Sequence, residues 1–160
     1  MIGTSGGAQA ATGLTSDKSF DVIYDEQIAP KSNETPPVKD MSGIFERYAQ
    51  IQEHSKSPKE WIENYSVYAL EDHKFNESVH ITRLEHRIKG IEWPSNLMIT
   101  AINARKAERV ALTSDSQVNL HRAMASSGSL PGVWPATTIE SDKHFDGGCH
   151  SMENADLAKG

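Results

Sequence analysis

The sequence has 160 residues, of which 37% are hydrophobic and 24% are charged, so it is long and apolar enough for one domain with a hydrophobic core. Its formal net charge of −6, without a cluster of Lys or Arg, argues against nucleic acid as a partner. The sequence lacks a run long enough to span a membrane and a signal-peptide pattern. We therefore expect a single soluble domain over residues 1–160, cytoplasmic, with any membrane contact peripheral.

The first residues contain a candidate catalytic motif. Gly3-Thr4-Ser5-Gly6-Gly7 fits the pattern Gly-x-Ser-x-Gly, in which a tight turn from a strand into a helix raises a nucleophilic serine hydroxyl. Gly3 and Gly7 would let the strand and the helix approach closely, and the amide of Gly6 would face a developing oxyanion. The alternative for this stretch is a flexible N-terminal tail.

Helical patterns dominate the first two thirds of the chain. Small residues in 6–14 predict a helix packed against a sheet and ended by Gly13, and the apolar spacing in 17–28 predicts a second helix. Pro- and Asn-containing residues 31–40 predict a mobile loop. Three further amphipathic stripes predict helices whose apolar faces belong to the core; they lie at 44–51, from Pro58 to Ala69, and at 77–88.

The pattern then changes to strands. The apolar run Leu97–Asn103 predicts a buried strand, and residues 108–113 predict its partner across a short turn. Residues 119–125 predict a short helix. The Gly-, Ser- and Pro-rich residues 126–135 predict an irregular loop whose apolar side chains, including Trp134, are buried and line a site.

Three stretches resemble one family. "MASSGSLPGVWPATTIESDKHFDGGCHSMENADLAKG" resembles the C-terminal signature of the patatin-like phospholipases, in which Asp-Gly-Gly follows an Ala/Ser-Pro loop. "MIGTSGGAQAATGL" is similar to the nucleophile elbow of that family, and "WPSNLMITAINARKAERVAL" is similar to its paired strands. The resemblance covers nearly the whole chain and implies a three-layer α/β fold with a central sheet and a helical cover.

The resemblance implies a serine lipid acyl hydrolase that cleaves carboxylic esters of membrane lipids through a Ser–Asp dyad and an acyl-enzyme. Ser5 would be the nucleophile and Asp146 the general base, and Gly147 and Gly148 would allow the turn that directs Asp146 inward. Aspartate has a reference pKa of about 3.9, so such a site must rely on desolvation and positioning. The implied partner is a lipid or ester substrate at a membrane surface, with no cofactor and no metal; head group, acyl preference and oligomeric state are left open.

The sequence also departs from the family pattern. A strand, a glycine-rich oxyanion loop and a helix precede the elbow in the family, whereas only Met1 and Ile2 precede Gly3 here. We therefore expect a domain shortened at both ends, without the N-terminal strand and the oxyanion loop, and with its activity in question.

Four alternatives remain open at this point. One is an inactive fragment that binds lipid or a partner through the 130–134 loop, and another is a remnant without a stable fold. A third is a Ser–His–Asp esterase with His144 or His150 as its base. The fourth is a metal site built from these two histidines with Asp146 and Cys149.

Overall fold

A mixed sheet with helices on both faces organises the molecule. The computed structural model describes residues 1–28, 40–72 and 74–158. Its strands are β1 (Ile2–Thr4), β2 (Met98–Asn103), β3 (Glu108–Leu112), β4 (Thr137–Ile139) and β5 (Asp142–Asp146). Its α-helices are α1 (Gly6–Thr15), α2 (Phe20–Ile28), α3 (Ser42–His54), α4 (Pro58–Ala69), α5 (Glu77–Arg87) and α6 (Leu120–Ser127). Short 3-10 helices cover Ser114–Ser116, Gly147–Cys149 and Ala155–Ala158.

Strand β2 is the centre of the sheet. β3 pairs antiparallel along one side of β2. On the other side β1 pairs parallel with the first half of β2, and β5 pairs antiparallel with the second half. β1 and β5 therefore meet end to end, and β4 pairs with the outer side of β5. The predicted α/β class with a central sheet and helical cover is confirmed.

Alternate residues of β2 face two hydrophobic clusters, as expected for the two-residue period of a strand. Ile99 and Ala101 belong to a cluster that includes residues of α1, α5 and α6. Ile102 belongs to a second cluster with Phe145 of β5 and Tyr65 of α4. Both faces of the sheet are thus buried under helices, which explains why β2 is apolar without the alternation of a half-exposed strand.

The chain before Ser5 does form a strand, contrary to the expectation that Met1 and Ile2 give the elbow almost no support. β1 exists because its backbone is paired with β2, with Gly3 opposite Ile99. Gly3 is essential to the approach of α1, since a Cβ on Gly3 would lie 2.6 Å from the Cα of Ala8. Such a distance is far below van der Waals contact, so the β1–α1 turn requires glycine at this position.

The predicted helices of residues 41–91 are confirmed with small changes of their bounds. α4 begins as predicted, because the Ser57 hydroxyl accepts a hydrogen bond from the N–H of Glu60 and Pro58 occupies the first turn. Phe45 is an exception to the predicted core face of α3, since its side chain is 60% exposed.

The first two helices differ from their predictions. α1 continues to Thr15, past the predicted end at Gly13, and α2 begins only at Phe20. The Ser19 hydroxyl accepts a hydrogen bond from the Val22 N–H in the first turn of α2. The apolar spacing of α2 does not make a buried face, because Phe20, Tyr24 and Ile28 are exposed; a periodic apolar pattern does not by itself supply the surface that would cover it.

One prediction and one histidine concern parts of the chain that the structure does not describe. Nearly all of the predicted mobile loop at 31–40 lies outside the described residues, as does His73. Within the described ranges, none of the helices has both the length and the apolar character needed to cross a membrane.

Candidate active site

Ser5 occupies the turn between β1 and α1 in an unusual backbone conformation. Its φ is 53° and its ψ is −127°, in the left-handed half of the map that favours glycine. A non-glycine residue held there carries strain of about 1–3 kcal/mol. The Ser5 N–H donates a hydrogen bond to the Ser127 hydroxyl at 2.9 Å, while its side chain makes no capping bond to α1. The hydroxyl is therefore not used to begin the helix.

Asp146 is the last residue of β5, and its side chain is only 1% exposed. Its Oδ1 accepts a hydrogen bond from the Gly148 N–H at 2.8 Å, and the Ser5 side chain lies near enough to the same carboxyl to lower its pKa. The backbone N–H of Asp146 donates to the carbonyl of Ser129. The structure thus brings together the serine and the aspartate that the two sequence motifs singled out, and a surface Asp-Gly turn is ruled out.

The environment of Asp146 makes it a stronger base than an aspartate in water. Burial raises the pKa of Asp146 from 3.8 to about 6, and the nearby Ser5 side chain and the hydrogen bond from Gly148 lower it by less. Desolvation disfavours the charged form, whereas hydrogen bonds donated to the carboxylate favour it. At pH 7 the group is still mostly ionised, so it is both charged and able to accept a proton.

The two positions after Asp146 leave little room for a Cβ atom, each because of a different neighbour. A Cβ on Gly147 would lie 2.5 Å from the Thr100 hydroxyl and 2.6 Å from the Thr100 carbonyl oxygen. A Cβ on Gly148 would lie 3.0 Å from Asp146 Oδ1. The chain that follows Asp146 therefore crosses directly over β2, and a side chain at Gly147 would push it away.

The glycines after Ser5 are less constrained. A Cβ on Gly6 or on Gly7 would meet no atom within 4 Å, so the predicted packing role holds for Gly3 and is wrong for Gly7. Gly6 is the first residue of α1. The first N–H groups of a helix lack intrahelical acceptors and carry the positive end of the helix dipole, so the Gly6 amide is available to an anion.

His144 is buried near the site but directed elsewhere. Its Nδ1 lies 3.1 Å from the carbonyl oxygen of Asp142, and its Nε2 lies 3.4 Å from the side-chain nitrogen of Asn103. These contacts require hydrogen on Nδ1 and an accepting Nε2. Burial lowers the pKa of His144, which favours the neutral ring. The base of a Ser–His–Asp triad contacts both the serine and the aspartate, and His144 has neither arrangement.

The other members of the candidate metal cluster are equally separate. His150 is exposed and lies near the charges of Arg109 and Asp156, while burial raises the pKa of the Cys149 thiol and the Asp146 charge adds to the effect. Cys149 is thus a protonated thiol and not a rival nucleophile. Over the described ranges, no three His, Cys, Asp or Glu side chains form a group suited to a metal ion.

Aromatic residues of α3 and α4 lie beside Asp146 and Cys149. Tyr48 donates a hydrogen bond to the Pro131 carbonyl at 2.7 Å and contacts Tyr65 edge to face, with ring centroids 5.2 Å apart. Burial raises the pKa of Tyr48 well above its usual range, and the Asp146 charge contributes. These rings pack in the second hydrophobic cluster together with Cys149.

The loop after α6 is packed against the protein, as predicted for its tryptophan. Trp134 is 8% exposed and stacks on His80, with ring centroids 4.4 Å apart, while Arg83 lies over the same ring. Gly132 has φ 82°, and a Cβ there would lie 2.1 Å from the Tyr68 hydroxyl. Insertion of Trp134 into lipid would require unpacking it, so this form of the lipid-binding alternative does not agree with the geometry.

Sequence reasoning did not single out the residues that support Ser5 from other parts of the chain. Ser127 accepts its N–H, and the Thr100 hydroxyl lies 2.7 Å from that of Thr4. Ser127 was visible only as one of several serines in a Gly/Ser-rich stretch. The spacing of residues along the chain does not predict contacts between residues that are this far apart in sequence.

Comparison with known proteins is consistent with the motifs. A family model described as patatin-like phospholipase matches residues 1–159. No curated protein matches the chain.

Proposed function

Since the chain belongs to the patatin-like phospholipase family, we propose that it is a lipid acyl hydrolase whose nucleophile is Ser5 and whose general base is Asp146. The observation that carries the proposal is the position of Ser5 directly after β1, next to the buried Asp146 at the end of β5, because the two strands end against adjacent residues of β2. The backbone strain at Ser5 adds support, because strained residues are concentrated at functional sites.

In the proposed reaction, the Ser5 hydroxyl attacks the carbonyl carbon of an ester while Asp146 takes its proton. The tetrahedral intermediate collapses to an acyl-enzyme, and the proton passes from Asp146 to the departing alcohol oxygen. A water molecule then attacks the acyl-enzyme, with Asp146 again as the base. The fatty acid leaves with the Ser5 hydroxyl restored, so protons and bonds balance over the cycle.

The negative charge that develops on the carbonyl oxygen needs hydrogen-bond donors. The Gly6 N–H at the start of α1 is suited to this role, because it follows the nucleophile directly and has no acceptor within the helix. Loss of one oxyanion donor in other enzymes costs a factor of about 10²–10³ in rate.

An ester fits the base better than an amide does. Alcohols leave more readily than amines, so less proton transfer to the leaving group is needed, and a carboxyl with a pKa of about 6 can supply it. This argument and the family favour carboxylic esters of lipids as the substrate class.

The direct test is labelling with a fluorophosphonate, which reacts with activated serines. We expect the probe to label Ser5 and the Ser5→Ala variant to stay unlabelled. Asp146→Asn should suppress labelling by about two orders of magnitude or more, the range of a general base. Circular dichroism with a thermal melt should accompany each measurement, because a cooperative transition identifies folded protein.

Two histidine variants separate the dyad from the triad. His144→Gln and His150→Ala should be labelled at nearly the rate of the unmodified protein. Loss of labelling in a folded His144→Gln or His150→Ala protein would favour the Ser–His–Asp alternative. A folded unmodified protein that no probe labels at Ser5 would instead support the inactive-fragment alternative.

A further inference from the structure

Asn154 is a fully buried polar residue that the proposed reaction does not use. Its side chain is 0% exposed, and its backbone has φ 49°, in the left-handed region that asparagine tolerates better than most residues. Its Nδ2 donates to the Thr4 hydroxyl at 3.0 Å, to the Thr100 hydroxyl at 3.3 Å and to the Ser151 carbonyl. One amide thus connects the C-terminal segment to β1 and to β2.

The two threonines are the immediate supports of the candidate dyad. Thr4 precedes Ser5, and its hydroxyl lies 2.7 Å from that of Thr100. Thr100 also lies beneath Gly147, which follows Asp146. The hydroxyl pair is therefore in contact with the chain segments that carry the nucleophile and the base. Asn154, in the C-terminal segment, donates hydrogen bonds to both hydroxyls.

Asn154 is itself held in place by charged groups. Its Oδ1 accepts a hydrogen bond from the Arg109 guanidinium at 3.0 Å. Arg109, on β3, makes two further bonds to Asp156, at 2.7 Å and 2.5 Å. A paired guanidinium has a defined orientation, so the amide is anchored on its oxygen side and directs its nitrogen at the threonines.

We propose that Asn154 is a positioning residue that sets the Ser5 hydroxyl against Asp146 through the hydroxyls of Thr4 and Thr100. This inference rests on the proposed function of Ser5 and Asp146. Asn154 touches neither reacting group; it fixes the end of β1 relative to the turn after β5. Its removal should move the Ser5 hydroxyl away from the Asp146 carboxyl without unfolding the domain.

The variant that tests this is Asn154→Gly. Glycine keeps the left-handed backbone without strain, removes every side-chain bond of Asn154 and adds no charge. We expect the rate of fluorophosphonate labelling to fall by about tenfold to a hundredfold, the scale of a misplacement of reacting groups. With a soluble ester substrate, the loss should lie in kcat and leave KM nearly unchanged.

The pH profile gives a readout that a purely structural role would not move. The nearby Ser5 side chain lowers the pKa of Asp146, so displacement of that side chain should raise the pKa. The acid limb of the labelling rate should therefore move to higher pH in Asn154→Gly. Asn76→Gly is the matched control, because Asn76 is an exposed helix-capping residue where glycine costs only a few tenths of a kcal/mol.

A second variant keeps the proposal testable if Asn154→Gly does not fold. Thr4→Val preserves the volume and branching of Thr4 but removes the hydroxyl that accepts from Asn154, and it should shift the acid limb in the same direction. An unchanged labelling rate and pH midpoint in a folded Asn154→Gly, or failing that in Thr4→Val, would overturn the inference. Absence of labelling in the unmodified protein would overturn the proposed function instead.

Discussion

Thr4 and Asp146 pair with adjacent residues of one strand, Thr100 and Ala101 of β2, although they lie near opposite ends of the chain. Both strands that end at this point run toward each other, so the next residue after β1 is Ser5 and the last residue of β5 is Asp146. The junction of two strands on one edge of β2 is thus the reason why a serine and an aspartate so distant in sequence become neighbours.

Ser127→Ala should weaken both the fold and the site. The substitution removes the hydroxyl that accepts the Ser5 N–H, and an N–H left without an acceptor costs about 1–3 kcal/mol. We expect the free energy of unfolding in urea to fall by about 1 kcal/mol, because Ser5 is only half-buried and water can partly replace the bond. Labelling of Ser5 should slow as well. Ser126→Ala, whose hydroxyl bonds within α6, should leave the labelling rate unchanged.

Gly3→Ala and Gly7→Ala form a matched pair, since both add one methyl group to the same motif. At Gly3 the Cβ would overlap the backbone of Ala8, whereas at Gly7 it would meet open space. We expect Gly3→Ala to lower the midpoint of thermal unfolding sharply and Gly7→Ala to keep stability within about 1 kcal/mol. Equal effects of the two substitutions would contradict the packing of α1 on β1.

Asp146→Asn should stabilise the protein at neutral and alkaline pH. The pKa of Asp146 is 3.8 in the unfolded reference and about 6 in the fold, so folding favours the protonated form. Above pH 6 the buried carboxylate opposes folding, and this cost disappears as the pH falls toward 3.8. Each unit of pKa corresponds to about 1.4 kcal/mol, so the gain should be about 3 kcal/mol at pH 8.

The check is the difference in unfolding free energy between Asp146→Asn and the unmodified protein, measured in urea at pH 8 and again near pH 4.5. The difference should shrink at the lower pH. A gain that is independent of pH would mean that the carboxylate charge is not its source. The same variant is also tested for labelling of Ser5. One substitution therefore measures both the stability that the buried carboxylate costs and the contribution of that carboxylate to the reaction.

His80→Phe should make the protein more tolerant of acid. Burial, reinforced by the charge of Arg83, lowers the pKa of His80 from 6.5 to about 4, and both ring nitrogens are buried without hydrogen-bond partners. The unfolded chain binds a proton in this range and the fold does not, so stability is complete above pH 6.5 and is lost as the pH falls toward 4. Phenylalanine keeps a ring against Trp134 and removes the titration.

Thermal unfolding at pH 7 and at pH 4.5 would check this prediction. We expect similar stability of the two proteins at pH 7 and an advantage of up to about 3 kcal/mol for His80→Phe at the lower pH. Identical acid sensitivity would show that other groups cause the loss. Comparison of variants at each pH is needed, because Asp146 acts in the opposite direction over part of the same range.

The amino-acid sequence by itself determined much of the helical structure and the identity of the motif residues. Amphipathic spacing places α3, α4 and α5 within a few residues, because a helix is built from contacts three or four positions apart. The glycine pattern around Ser5 indicated a sharp turn because few other residues permit the close approach seen at Gly3. These are local properties, and local sequence is sufficient for them.

Other features were decided only by the tertiary structure. The strands β1, β4 and β5 have only three to five residues each, too few for a clear strand pattern, and the sheet forms by their pairing, with β1 and β5 both paired to β2. Most apolar side chains of α2 are exposed because no other described part of the chain packs over them. The pKa of Asp146 is raised by burial in the assembled fold. The hydrogen bonds of Ser127 with Ser5 and of Asn154 with Thr4 join residues from opposite ends of the chain. Burial and directional hydrogen bonds of this range arise only when the sheet brings its strands together, and that is where the chemistry of the site is determined.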